Sequence, residues 1–533
     1  MSIFLRLTVA LALLATVAQA GARTLSFYGT PLNPIIKEGE GEGEWVAQAS
    51  YSPASEHVSN FAQLTVSTSK LFQDDLQTFA AGYLEGLLTA ESVHQHYDNM
   101  VCQVDCSGYV SPQLRDFFET QDAWARAQVS ANAECPYWGH IGSLLAQADG
   151  LRAGYGASEE AVKRPLDAWA FTLINSLGDL FDIVPAVDST QRPDFKSYSY
   201  PQLQSHMQRT GHCSALIKVT AGLEEVWVGH TSWFTYSAML RIYKSYKFDL
   251  QNPSSQADKQ LFSSYPGTLS SLDDMYMMAG SELLMTQTTN NIFNASLWDL
   301  VVPQSLLAWQ RVRTANQLAS SGPEWFDVVK LHNSGTYNNQ YMILDLKKWA
   351  PQQAMPRNTL FVVEQIPGLV LGTDVTDVLE RGYWGSYNVP FHKQIYLESG
   401  YEVVDIAAGN IVGSEYQQAP RSKIFRRDAG AAVDLESMQQ LMRYNQFQTD
   451  VYAEGDAWGA IAARGDLNKA PYAGGGYDTK VTSGGMFVKS QVSVVNGPTS
   501  QDQAPFRWST SGLNDSHVGQ PDVFDFQFEL ISL

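Results

Sequence analysis

The chain has 533 residues, 44% hydrophobic and 12% aromatic, enough apolar surface for one very large domain or several ordinary ones. Its formal net charge of −20 argues against nucleic acid as a partner, because phosphates demand a basic surface. The same charge serves solubility, or adaptation to an acidic vesicle where partial protonation relieves self-repulsion.

In chain order, residues 1–20 read as a signal peptide. Arg6 supplies the charge, Leu7 to Val17 the apolar run, and Ala18-Gln19-Ala20 the small-residue cleavage site, so the mature chain is expected to begin at Gly21. The run is shorter than the about 20 residues a membrane span needs, and no later segment is long and apolar enough. The protein is expected to be soluble and outside the cytosol. Gly21 to Tyr51 reads as irregular, with a surface loop over the Glu-Gly alternation from Glu38 to Glu44. Leu76, Phe79, Ala80, Tyr83, Leu84 and Leu87 repeat at helical spacing, as do Ile141, Leu144, Leu145, Ala148 and Leu151. Pro165 to Leu177 predicts a further helix. Asp188 to Gly211 is polar and carries two prolines, the best match to an exposed, cleavable linker.

After Cys213 the period changes to two. Ala215, Ile217 and Val219 alternate with Ser214, Leu216 and Lys218, and Thr220-Ala221-Gly222 makes a turn before Glu225 to His230. This predicts a β-hairpin opening at Cys213. Further strands are expected at Tyr341–Leu346, Leu360–Gln365, Gln394–Tyr396 and Tyr401–Asp405, and helices at Val301–Leu318 and Leu435–Tyr444. The Gly- and Ser-rich segment from Pro471 onward is expected to wrap the surface. Helices first, then strands with helices between, give layered α and β elements, an α+β chain without solenoid repeats.

There is no Gly-x-Ser-x-Gly elbow, P-loop or His-Glu-x-x-His. His94-x-His96 lacks the three or four ligands of a zinc site, and Arg464-Gly465-Asp466 is short enough to occur by chance. The four cysteines are Cys102, Cys106, Cys135 and Cys213. Cys102 and Cys106 are candidates to pair in an oxidising compartment; metal binding there is the weaker alternative. Cys135 is free or competes for a partner. Asn294-Ala-Ser296 and Asn514-Asp-Ser516 are glycosylation sequons. Cys213 stands where a loop meets a strand. If the His212–Cys213 bond is cut, the thiol gains an α-amine with an ordinary pKa of roughly 8, an arrangement in which a nucleophile carries its own base.

The run from Gly211 to Val219, followed by Gly229-His230-Thr231-Ser232-Trp233 and Ala238 to Lys244, closely resembles the phospholipase B-like family. So do Thr288-Thr289-Asn290, Asn333 to Gln340, Ser386-Tyr387-Asn388, Ile424-Phe425-Arg426-Arg427-Asp428, Ala462 to Leu467 and Gly519 to Val523. The likeness runs from about residue 60 to the C-terminus. It implies an N-terminal-nucleophile hydrolase: an αββα sandwich of two mainly antiparallel sheets flanked by helices, secreted or lysosomal. It also implies internal cleavage between His212 and Cys213, with fragments 21–212 and 213–533 staying associated as one domain. The implied activity is release of fatty acids from glycerophospholipids through an acyl-thioester, with no cofactor or metal and at most transient contact with a membrane surface. Alternatives are an amidase of the same fold acting on N-acyl amides, and a non-catalytic lipid-binding glycoprotein.

By the same similarity, Asn290 and Asn388 are candidate oxyanion donors, against the ordinary use of Asn in turns. Arg426 or Arg427 is a candidate to lower the thiol pKa, against a structural ion pair. His230 orients the amine or substrate, or fills a polar core position, with an ordinary pKa in the range of vesicle pH.

Overall fold

Two β-sheets form the centre of the molecule. The computed structural model describes residues 21–105, 111–210, 213–272, 275–402, 404 and 415–532. The chain opens with β1 (Arg23–Thr30), β2 (Asn33–Glu38), β3 (Ala47–Ser52) and β4 (Phe61–Thr68). The hairpin β5 (Ser214–Val219) and β6 (Val226–Thr235) starts the smaller sheet. β7 (Arg241–Lys247), β8 (Lys259–Ser264), β9 (Met275–Met278) and β10 (Leu283–Thr289) return to the larger one, with β11 (Asn339–Asp345), β12 (Leu360–Ile366) and β13 (Leu369–Asp374). β14 (Tyr383–Ser386), β15 (Gly474–Ser483), β16 (Gln491–Asn496) and a C-terminal strand, Glu529–Ser532, complete the smaller sheet. The larger sheet has eleven strands in the order β13-β12-β11-β10-β9-β8-β7-β4-β3-β1-β2; the smaller has six, β14-β5-β6-β15-β16 and the C-terminal strand. Pairing is antiparallel in both, apart from the parallel pair β4–β7.

The main helices are α1 (Asp74–Leu88), α2 (Ala90–Asp105), α3 (Pro112–Ala131), α4 (Pro136–Gly156), α5 (Ala168–Asn175), α6 (Leu180–Val187) and α7 (Tyr200–Thr210) before Cys213. After it come α8 (Ala308–Leu318), α9 (Gly322–Val329), α10 (Lys393–Glu398), α11 (Pro420–Asp428) and α12 (Leu435–Met442).

Strand alternation sorts the side chains into layers. Met342 and Leu344 of β11 face Ala215, Ile217, Val228, Val492 and Val494 of the smaller sheet in one core. Tyr341 and Ile343, the alternate residues, pack with Leu84 of α1, Val312 of α8 and Trp325 of α9. On the far side of the smaller sheet, Leu216 and Val481 share a core with Phe425 of α11 and Met438 and Met442 of α12. The order is helix, sheet, sheet, helix.

The α1–α4 contact is unusually close. A Cβ added to Gly82 or Gly86 would collide with the backbone of α4, and one added to Gly150 or Gly154 with the backbone of α1. Four glycines at four-residue spacing let the two backbones touch.

Several expectations are corrected. Residues 21–51 contain β1 to β3 rather than irregular chain, with a loop over the Glu-Gly stretch after Glu38. Residues 188–210 are two short 3-10 turns and α7, with Phe195 and Leu203 buried; apolar anchors hold a stretch whose composition looks like a linker. Gly211 and His212 lie outside the described residues. Gln394–Tyr396 belongs to α10, and Tyr401, Glu402 and Val404 are helical, because short apolar runs suit either period. The Gly-rich segment after Pro471 supplies β15, every residue of which is buried. The expected strands near 341 and 360 are β11 and β12. The helices expected near 141, 165, 301 and 435 are α4, α5, α8 and α12, with α8 beginning only at Ala308.

His94 and His96 point to different partners. His94 Nδ1 meets the Tyr155 hydroxyl at 3.1 Å, while His96 stacks on Tyr265 in the core. Burial, with the cations Arg241 and Lys244 nearby, holds the His96 pKa down to about 3. The unfolded chain, with an ordinary His, therefore takes up the proton first, and stability falls as pH drops below about 6.5.

Two measurements follow from the packing. Gly150→Ala is expected to cost about 1–3 kcal/mol in urea unfolding, since the backbones must separate. His96→Phe is expected to shrink the difference in unfolding free energy between pH 7.5 and pH 5 by about 2 kcal/mol.

Candidate active site

The residues around Cys213 are placed by the two sheets. Cys213 precedes β5, an inner strand flanked by β14 and β6. Ser214 pairs with Thr231, so the next step in register sets Cys213 opposite Ser232. The cysteine is fully buried, outside any disulfide, and has φ of +80°, a region that costs a non-glycine residue on the order of 1–3 kcal/mol.

Arg421, in the first turn of α11, holds this junction. Its Nη1 donates to the Cys213 carbonyl at 2.6 Å and to Ser214 Oγ at 3.1 Å. Its Nη2 donates to the Tyr387 carbonyl at 2.9 Å and to Asn388 Oδ1 at 2.7 Å. The guanidinium lies 4.1 Å from the centre of the Trp233 ring. Burial pushes its pKa down to about 9, which leaves it cationic at neutral and acidic pH. Ser214 Oγ donates to the Ile461 carbonyl at 2.8 Å, and Trp233 Nε1 donates to the same oxygen at 3.1 Å.

Asn388 adopts φ of +68° just past β14. Its Nδ2 donates to the Thr289 carbonyl at 2.7 Å, and the Thr288 and Ser386 hydroxyls meet at 2.7 Å. These bonds fasten the smaller sheet to the end of β10. Asn290, next along, donates weakly to Glu364 at 3.4 Å, and its buried Oδ1 has no hydrogen-bond partner among the described residues.

A cavity of about 350 Å³ adjoins this cluster, lined among others by Trp233, Thr289 and Asn290, and by His206 and Thr210 of α7. Of the two candidate oxyanion donors, Asn290 lines the cavity; Asn388 instead grips Arg421 and Thr289.

His230 shares a sheet face with Cys213, two residues along from Ser232. Its Nε2 donates to the Gln287 carbonyl at 2.9 Å, and Nδ1 has no hydrogen-bond partner among the described residues. Burial first, then the Lys480 cation, drive its pKa well below the ordinary value. That direction runs against the expected charge change at vesicle pH and favours the neutral imidazole. Behind it, Asp478 pairs with Lys480 at 2.7 Å and Arg241 at 2.9 Å, all fully buried. The two cations hold the Asp478 carboxyl below the ordinary range despite its burial.

Arg426 and Arg427 do not serve the thiol. Arg426 is exposed and bonds to Gln417; Arg427 pairs with Asp428 and Asp450. Both lie on the face of α11 opposite Ile424 and Phe425, whereas Arg421 is one turn before Phe425 on the buried side. That helical spacing was the available signal, and sequence reasoning missed it.

The remaining motifs lie apart. Arg464 is buried and closes on Asp466 and the Thr499 and Ala504 carbonyls, so Arg-Gly-Asp is an internal ion pair. Asn514 is exposed, while Asn294 is half-buried, its Nδ2 donating to the Glu398 carbonyl at 3.0 Å. Cys135 is an exposed free thiol. Residues 1–20, expected to be a signal peptide, Cys106 and the Cys102 side chain lie outside the described residues.

Asp478→Asn leaves Lys480 and Arg241 without their shared carboxylate. Urea unfolding at pH 7 is expected to show a loss of about 3–5 kcal/mol.

The family model described as Phospholipase B matches residues 47–531. The chain is 44% identical over 467 residues to Phospholipase B-like 1 of Rattus norvegicus, covering 86% of this chain and 82% of that one. It is 43% identical over 460 residues to Phospholipase B of Crotalus adamanteus, covering 85% and 82%. Phospholipase B-like protein B of Dictyostelium discoideum is 39% identical over 474 residues, covering 87% and 82%. A match spanning both sheets and the Cys213 junction shows that the chain belongs to the phospholipase B family.

Proposed function

We propose that this chain is a self-processing acyl hydrolase that releases fatty acids from glycerophospholipids, with Cys213 as its nucleophile. The observation that carries the reading is the Cys213 junction: a buried cysteine in left-handed backbone, its carbonyl clamped by Arg421 beside a cavity. The names of the relatives support a phospholipid substrate. The helix–sheet–sheet–helix order, with the cysteine heading an inner strand, supports an N-terminal-nucleophile hydrolase.

In processing, the Cys213 sulfur attacks the His212 carbonyl carbon. The C–S bond forms as the C–N bond breaks, and the nitrogen takes the thiol proton to become the α-amine. Water then hydrolyses the thioester, leaving a carboxylate on His212 and restoring the thiol. Strain at Cys213 raises the starting state toward this step. The signal segment 1–20 is removed separately. Fragments 21–212 and 213–533 stay together because β4 and β7 pair across the cut.

In turnover, the α-amine takes the thiol proton as sulfur attacks the ester carbonyl, and returns it to the departing alcohol. Water hydrolyses the acyl-thioester and the fatty acid leaves. The developing oxyanion needs fixed donors, each worth about 3 kcal/mol; the Asn290 amide, facing the cavity, serves here. Asn388 positions Arg421, whose fixed charge favours the thiolate. His230 contributes a neutral acceptor. Glycosylation at Asn294 and Asn514, a Cys102–Cys106 disulfide, and secreted or lysosomal residence complete the reading.

The test pairs N-terminal sequencing with turnover. Wild-type protein incubated at pH 5 is expected to give a fragment beginning at Cys213. Cys213→Ala is expected to stay intact and to lose fatty-acid release from phosphatidylcholine by about a thousandfold or more. An intact chain with undiminished hydrolysis overturns the reading. Release from N-acyl amino acids but not from phosphatidylcholine moves the substrate to amides.

A further inference from the structure

The cavity that meets the Arg421–Asn388 cluster at Trp233 and Thr289 has a two-sided wall. One side comes from the chain before the cleavage point: Leu177, then Leu180, Phe181, Val184 and Pro185 on α6, and Phe195. The other comes from beyond it, with Trp233, Phe234 and Ile292. Phe181 and Phe234 meet edge to face at 6.1 Å between ring centres and join the two sides.

The α6 side is rigidly placed. Its Asp182 accepts from Trp298 Nε1 at 3.0 Å, from the Tyr337 backbone N–H at 2.9 Å and from Asn338 Nδ2 at 3.0 Å. Asp179, just before the helix, accepts from the Ala308 N–H at 3.0 Å. Pro185 interrupts the helix, and its carbonyl accepts from Arg192 Nε at 2.7 Å. The helix is pinned through Asp182, and Leu180, Phe181, Val184 and Pro185 line the cavity beside that carboxyl, with Phe181 reaching the surface.

Charge narrows the occupant. The lining contains no lysine or arginine among the described residues, and Asp182 is its carboxylate. A phosphate inside would find no cation. The volume of about 350 Å³ lies near the small end of the about 300–1,000 Å³ of small-molecule sites, too little for two tails and a head group. Trp233 and Thr289, which line the cavity, also touch the Cys213 cluster through Arg421 and Asn388.

Resting on the acyl-hydrolase reading above, we propose that this cavity takes one acyl chain, that the phosphate head group stays outside it, and that Val184 and Phe181 set the chain length accepted. The element selecting the substrate thus belongs to the fragment that lacks the nucleophile.

The experiment measures kcat/KM for lysophosphatidylcholines from C6 to C16, for wild type, Val184→Trp and Phe181→Ala. Val184→Trp is expected to lower the C16-to-C6 ratio at least tenfold, and Phe181→Ala to raise it. At fixed chain length, replacing choline by glycerol is expected to change wild-type kcat/KM less than threefold. Binding of non-hydrolysable alkyl-ether lysolipids of the same lengths reads the wall without turnover, and Val184→Trp is expected to weaken the long ones selectively. Length ratios unchanged in both variants overturn the proposal, as does a tenfold or larger head-group effect. If wild type hydrolyses none of the esters yet binds the ethers with the expected length dependence, the ester-hydrolase reading fails and the acyl wall stands.

Discussion

One half-buried guanidinium organises this molecule's most unusual corner. Arg421 bonds to the backbone carbonyl of Cys213, the hydroxyl of Ser214, the carbonyl of Tyr387 and the amide oxygen of Asn388 while lying on the Trp233 ring. Those partners come from the start of β5, the residues just past β14 and the final stretch of β6 before Thr235. Desolvating such a cation is costly unless its donors are met, and here four acceptors and an aromatic face meet it. The cost explains why the strand ends converge so tightly. It also explains how a cysteine can be held in left-handed backbone: the carbonyl that follows it has a fixed destination.

The hairpin at Cys213 was legible because its residues alternate cleanly and Thr220-Ala221-Gly222 can only turn. The strands β11 and β12 and the helices α1 and α4 were legible for the same reason, a strong period with apolar residues in phase. Arg421 was not. Three arginines lie within residues 421–427, and their types do not distinguish them; their phase relative to Phe425 does. The strand β15 was hidden by its three glycines. Gly475 and Gly476 lie against the backbone of Ala462 and Ala463, so glycine there is a condition of close packing rather than a sign of loop. The 188–210 stretch misled in the opposite way, since two buried apolar anchors, Phe195 and Leu203, outweigh a polar composition. His230 shows a third kind of difference: its residue type suggests a titrating group at vesicle pH, but burial, with Lys480 beside it, pushes its pKa down.

The chemistry of the site and the packing of the core share one strategy. Polar groups are driven deep and then satisfied in sets. Asp478 with Lys480 and Arg241 does this between the sheets, Asp182 with its three donors does it in the cavity wall, and Arg464 with Asp466 does it near the surface. The first two sets join segments far apart in sequence. Such ties add little net stability; the larger sheet mixes strands from before and after Cys213, while the smaller draws only on strands after it.

The parallel pairing of β4 with β7, in register from Phe61↔Arg241 to Ser67↔Lys247, has a kinetic side. It joins a strand from before residue 212 to one from after it, in the middle of the eleven-stranded sheet. While the chain is continuous, forming that pair is loop closure, first order and independent of concentration. Once the backbone between them is severed, the same pair becomes an association between two molecules, and its rate falls with dilution. A severed protein that unfolds in a dilute fluid would then lose its partner before it could rebuild the sheet. Native structure would persist through slow unfolding rather than through the ability to refold.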